Sequence, residues 1–284
     1  MKIGTIASIW RYPVKGMAGE RLQSCELDSE GLKGDRVWAV QDVQRKEIQS
    51  CKFRPQLLQC RARCLDDNLI GQVEITFPNG QVLQCENSLA SEQVSSLIGY
   101  DSQLQPLRHL DDDDFYKRHK PDEHTWLNEL KATFEREEGE PLPDLDNLPQ
   151  IMQDYVSIPG TFFLVSHCHI LTRASLNYMK QVNPDSDWHI ERFRPNIMID
   201  TIEGLEGGLA EQDWIGKKLK IGDLIIECAD PAPRCGAVIR PQSCFDEDKR
   251  ILRSIVKEAK QNLGVYGNIS NKGLIKVGDE VCLI

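Results

Sequence analysis

Along the first hundred residues, apolar positions come in short runs bounded by turn residues, as expected of half-buried strands. Ile3 to Arg11 is apolar and extended, and Arg36 to Gln41 follows a Gly-Asp turn signal. Val73 to Phe77 and Val82 to Cys85 flank Pro78-Asn79-Gly80, where Asn-Gly supplies the positive φ angles a tight hairpin needs. Ser91 to Ile98 has the spacing of one short helix. In the second half, Thr161 to Ser166 and Asn196 to Asp200 read as strands, and Ser175 to Val182 as a helix opened by an N-cap serine. Leu219 to Ile221 and Ile225 to Cys228 make another hairpin around Gly222-Asp223. Asp246 to Asn262 sets Ile251, Leu252, Ile255, Val256 and Ala259 on one side of a helix. Strands near Val265 to Ile269 and Val281 to Ile284 close the chain. Many short strands and few helices predict a mostly β fold, a β-barrel or sandwich with peripheral helices.

The pattern breaks between His109 and Gln150. Asp111 to Asp114 is four consecutive acids, and Glu135 to Leu148 is rich in Glu, Asp and Pro around a short helix predicted near Trp126 to Arg136. The chain therefore divides into an N-terminal domain over 1–108, an acidic connector over 109–150, read as a solvated surface linker, and a second domain over 151–284.

Composition places this among ordinary globular proteins, with 284 residues, 40% hydrophobic and 27% charged. The net charge of -10 argues against nucleic acid as the main partner, since phosphate backbones require a basic footprint. No signal-peptide pattern opens the chain and no run approaches a membrane span, so a cytoplasmic location is expected. The ten cysteines are scattered, which fits reduced thiols that are mostly small buried hydrophobes.

Several common chemistries lack their spacing. There is no G-x-G-x-x-G, no G-x-x-x-x-G-K-[ST], no C-x-x-C, no H-E-x-x-H and no G-x-S-x-G. Cys60 and Cys64 are four apart and Cys228 and Cys235 seven apart, neither a zinc-ribbon nor a ferredoxin spacing. His167 and His169 alternate and would share one face of a strand, but two imidazoles alone make a weak zinc site.

Three segments combine residue types that core packing does not require. Tyr12-Pro13-Val14-Lys15-Gly16 is followed by Gly31-Leu32-Lys33-Gly34-Asp35-Arg36-Val37-Trp38, where Lys15 and Arg36 can present cations at backbone bends. Arg192-Phe193-Arg194-Pro195-Asn196 would, on a strand, send two guanidinium groups to one face, as suits forked phosphate contact. Pro231-Ala232-Pro233-Arg234-Cys235 stiffens the approach to a thiol whose neighbouring Arg234 would favour the thiolate. Each has a bland competitor taken alone: a surface ion pair at Asp35-Arg36, a solvated strand face, a small buried cysteine.

Taken in order, these segments resemble the MOSC family, named for the C-terminal domain of molybdenum cofactor sulfurase, preceded by that family's N-terminal β-barrel extension. YPVKG with GLKGDRVW is similar to the extension's signature. LTRASL (171–176) and ERFRPN (191–196) are similar to the start of the MOSC domain, and PAPRC, GVYGNI (264–269) and GLIKVGDEV (273–281) to its end. The resemblance, which takes in bacterial reductases of N-hydroxylated compounds and the mitochondrial amidoxime-reducing component, implies an N-terminal barrel-like domain packed on a MOSC β-barrel. It implies a molybdenum cofactor, with Cys235 as the catalytic position and molybdenum ligand. Lys15, Arg36, Arg192 and Arg194 would hold the anionic pterin, with Thr172, Ser175, Asn196 and Arg234 also in the cofactor set. A reductase of this kind takes a small-molecule substrate. Without ferredoxin spacing in the chain, it would draw electrons from a separate ferredoxin- or cytochrome-type donor. The alternative is a sulfur carrier or cofactor-delivery protein that uses a Cys235 persulfide, served by a pyridoxal-phosphate-dependent cysteine desulfurase. The chain departs from the family at Gly16, where many relatives have Ser, and at Lys52, where some have Arg.

Overall fold

The computed structural model describes residues 1–66, 71–119, 125–205 and 207–284. Its centre is a closed barrel of seven strands, made by Cys168–Thr172, Ile197–Thr201, Lys218–Ile221, Leu224–Pro233, Asn262–Ile269, Glu280–Leu283 and, from the opposite end of the sequence, Lys2–Arg11. Closure comes from Lys2–Arg11, which pairs antiparallel with Glu280–Leu283 on one side and with Ile197–Thr201 on the other. The first strand of the chain is thus a stave of the C-terminal barrel, although its sequence neighbours belong to the other half. Alternation drives this arrangement: Ile3, Ile6, Ile9, Ile197, Ile199, Leu219, Ile221, Ile226, Val265 and Val281 fill the lumen as one buried cluster.

The other half is built around a second core containing Val14, Met17, Trp38, Val40, Leu57, Val73, Ile75, Val94 and Leu104. Its sheets are small: Trp38–Asp42 with Ser102–Pro106, and Arg61–Cys64, Val73–Thr76 and Val82–Gln84 as a meander. The Asn-Gly hairpin forms, with Thr76 opposite Val82. The helix Ser88–Ile98 is capped by Asn87, whose side chain accepts from the Leu89 N–H, and it ends on Gly99 in the left-handed region. The mostly β fold with peripheral helices is therefore present, with Arg173–Val182 and Lys249–Glu258 packed over one side of the barrel. No helix of the described residues is long and apolar enough to cross a membrane.

Three local expectations fail. Thr161 to Ser166 is a chain of turns and bends, and Phe162 serves instead in a small cluster with Phe115 and Tyr116. The helix read as opening at Ser175 begins at Arg173, because Thr172 is the N-cap and its hydroxyl accepts from the Ser175 N–H. The acidic connector is not merely solvated. Its helix Thr125–Ala132 and the residues after it supply Trp126, Leu130, Phe134 and Leu145 to a buried cluster against which Cys235 packs. Acidic composition describes the outer face of this segment and hides the apolar spacing of the inner one.

Candidate functional site at the junction of the two halves

Two stretches leave the barrel side by side. Lys2–Arg11 runs on into Tyr12–Lys15, and Ile197–Thr201 is entered from Arg192–Asn196. Ile9 pairs with Ile197, and Trp10 N–H donates to Asn196 O at 2.8 Å. Tyr12 is buried between them, its hydroxyl donating to Pro195 O at 3.1 Å. Arg36 and Arg194 approach the Tyr12 ring with guanidinium carbons 5.1 and 4.3 Å from its centroid. Both arginines sit in the left-handed region, φ 49° and 53°, a conformation that costs a non-glycine residue energy.

Each arginine is aimed by a different device. Asp35, itself buried, accepts from the Tyr12 N–H at 2.6 Å and from Asn196 Nδ2 at 2.9 Å and pairs with Arg36. Arg194 donates to Met17 O, reaching from the C-terminal half across to the N-terminal one. The sequence expectation that Arg192 and Arg194 share a strand face does not hold, because Ile190–Arg192 is a 3-10 turn. Arg192 turns to carbonyls instead, donating to Asp187 O at 2.9 Å, Val238 O at 3.3 Å and Asp246 O at 2.8 Å.

Lys15 completes the cationic group. Its ammonium donates to Ser157 Oγ at 2.6 Å, and among the described residues no carboxylate pairs with it. Burial lowers its pKa to about 7, and the charges of Lys52, Arg36 and Arg118 push the same way. Cys51 lies within the same field: burial raises its thiol pKa, while the charges of Arg194, Cys235 and Lys52 also act on it. Cys235 caps the short turn Gly236–Ile239 beneath the connector, whose Thr133 O accepts from the Gly236 N–H. Of the two cysteines seven apart, Cys228 is a barrel-core thiol that burial pushes up to about 12.

The remaining expected residues stand behind this surface. Arg234 is buried, and its guanidinium donates to Leu263 O, Phe193 O and the His169 imidazole rather than facing outward. His169 is held neutral by burial and by Arg234, which leaves a ring nitrogen to accept. It does not share a face with His167, which contacts Ser29 O instead. Asn196 ties His169 N–H to Asp35. Thr172 and Ser175 both donate at 2.5 Å to Glu211, a fully buried carboxylate that also accepts from the Gly264 N–H at 3.1 Å. Thr172→Val is expected to lower unfolding stability by about 2 kcal/mol in urea, through the lost cap and a weakened Glu211 site.

The structure gathers Lys15, Arg36 and Arg194 around Cys51, and Cys235 reaches this group only through its effect on the Cys51 thiol. Arg192, Arg234, Asn196, Thr172 and Ser175 brace the loops around them. Sequence reasoning missed Tyr12 as the ring between two arginines, Cys51, and Arg118. The connector hid Arg118, and Cys51 had no spacing partner along the chain. The departure at Gly16 has a geometric cause: at φ 88°, a Cβ there would stand 2.9 Å from Cys51 N.

Comparison with known proteins adds two family matches. Residues 161–282 match the MOSC domain, and residues 3–110 match the MOSC N-terminal beta barrel domain. The chain is 25% identical over 301 residues to mitochondrial amidoxime reducing component 2 of Bos taurus, covering 99% of this chain and 83% of that protein. It is 24% identical over 271 residues to the molybdenum cofactor sulfurase of Drosophila erecta, covering 90% of this chain but spanning only 30% of the sulfurase. Among solved structures it is similar to the YUAD protein from Bacillus subtilis, with a TM-score of 0.43 and 10% identity over 98% of this chain and 94% of that one.

Proposed function

Because the chain belongs to the MOSC family, carrying the family's N-terminal β-barrel domain and its MOSC domain in order, we propose that the junction of its two halves binds a molybdenum cofactor and reduces N-oxygenated compounds. The observation that carries this reading is the crowding around Lys15. A buried ammonium that donates to Ser157 among the like charges of Lys52, Arg36 and Arg118 is a place where a bound anion would offset both burial and repulsion. A pterin phosphate is such an anion, and the fixed guanidinium groups of Arg36 and Arg194 suit its oxygens. Cys235 would offer the metal a soft sulfur ligand.

When bound, the cofactor would supply two-electron removal of oxygen from an N–O bond. The chain's own residues have narrower tasks. Lys15, Arg36 and Arg194 hold negative charge, and Tyr12 keeps the two arginines apart and in place. Phe134 and the connector wall shield one side of Cys235. Electrons would come from a separate donor of ferredoxin or cytochrome type. The test is to purify the protein with cofactor supplied, then assay an N-hydroxylated base with a chemical reductant. Molybdenum-dependent turnover supports the reductase. Stoichiometric molybdenum with no turnover, and labelled sulfane sulfur on Cys235, would replace it with the sulfur-carrier reading.

Lys15 also sets a pH dependence. Its pKa in the folded protein lies below that of the unfolded chain, so the unfolded state binds more protons between about pH 7 and 10.5. Stability of the cofactor-free protein is expected to rise with pH across that window, and Lys15→Met should flatten the rise in urea melts at several pH values. An anion at the site raises the Lys15 pKa again, so pterin binding should take up a proton near neutrality and weaken above pH 7.

A further inference from the structure

Beside that junction, three side chains of different chemistry meet: the imidazole of His189, the carboxylate of Glu191 and the thiol of Cys244, with ligand atoms all within 4.8 Å of one another. His189 caps the turn Ile190–Arg192, which also carries Glu191, and Cys244 lies in the turn closed by the Gln242–Phe245 bridge. We propose that these residues form a binding site for a zinc-class divalent cation that clasps the two turns together.

The donor set selects the ion class. One nitrogen, one oxygen and one sulfur suit zinc or its borderline-soft neighbours, whereas magnesium and calcium prefer all-oxygen shells. Zinc holds such atoms at about 2.0–2.3 Å, which puts tetrahedral ligands roughly 3.3–3.8 Å apart. From 4.8 Å this takes side-chain shifts of about 1 Å. A thiolate and a carboxylate together would balance the ion's charge, and because Cys244 is exposed, water could supply a fourth ligand.

The surroundings support a cation. Glu191 is buried, and one of its oxygens already accepts from Arg61 at 2.7 Å, which leaves the other for a metal and makes Arg61 the outer partner that orients it. Arg61 belongs to the N-terminal half, so the clasp would reach the other domain through that pair. The His189 cap bond to the Glu191 N–H is 3.4 Å, long enough to be given up at little cost. Cys244 also lines a 530 Å³ surface cavity whose wall sets five carboxylates, Asp187 and Glu247 among them, against the cations Arg192, Lys249 and Arg250.

Cobalt(II) titration of the full chain tests the site, because a thiolate–cobalt charge-transfer band in the near ultraviolet reports sulfur ligation directly. One equivalent should produce the band, and zinc should displace it. Cys244→Ser, at an exposed position that leaves the fold intact by circular dichroism, and His189→Ala should each abolish the band. Each should also weaken zinc by more than the roughly 10–100-fold typical of losing an outer partner. Cys235→Ala should retain the band. A band that survives Cys244→Ser, vanishes with Cys235→Ala, or never forms at near-stoichiometric cobalt overturns the proposal.

Discussion

Gly264→Ala is expected to destabilise the protein by more than about 4 kcal/mol, or to leave it unfolded on expression. Two effects combine. Gly264 has φ 87°, which an alanine adopts only with strain, and the added Cβ would stand 2.2 Å from His169 Nε2 and 2.8 Å from Ile170 O. Neither neighbour can yield cheaply. Ile170 is in the middle of a barrel strand, and the His169 nitrogen is the one that accepts from Arg234. Displacing it would loosen the arginine that anchors the segment leading into Cys235, and would disturb the Gly264 N–H that binds Glu211. Gly80→Ala isolates the backbone part of the effect, since Gly80 has φ 83° but nothing within 4 Å of its Cβ position. That variant should lose only about 1 kcal/mol. Equal shifts of the two urea midpoints would show that the close approach at Gly264 is unimportant.

Cys235→Ala is expected to remove molybdenum retention almost completely, from near one metal per chain to background by elemental analysis of protein purified with cofactor supplied. The cationic residues would still attract the pterin phosphate, so loss of metal should exceed loss of pterin. Cys228→Ala provides the contrast. Its thiol lies in the barrel core, where burial keeps it protonated and unsuited to ligate a metal, so that variant should keep its molybdenum. If Cys228→Ala is the variant that empties the protein, the roles assigned to the two cysteines are reversed.

Much of the fold was legible because alternating strands and turn residues carry local signals. The hairpins at Asn79-Gly80 and Gly222-Asp223 and the helix over Ile251 to Val256 needed no tertiary knowledge. What the sequence hid depends on long-range closure. Nothing in Ile3 to Arg11 says that its neighbours are residues 197–201 and 280–283, yet that pairing sets Tyr12 beside Pro195. The site was legible in part for the same reason. Lys15, Arg36, Arg194 and Cys235 stood out by motif. The 3-10 turn that swings Arg192 onto three carbonyls was invisible to an argument from strand alternation. Arg118 reaches the junction because the connector folds back against it, and Cys51 because its loop packs on Gly16. Their residue types gave no warning.

The proposed function requires Cys235 to supply a protein thiolate to molybdenum at the junction of the two halves. X-ray absorption at the molybdenum edge of the cofactor-loaded protein tests it most directly. With Cys235 as ligand, the metal should show one sulfur neighbour more than the cofactor's own dithiolene provides. A sulfur count equal to the dithiolene alone, in protein that holds its metal, would contradict it.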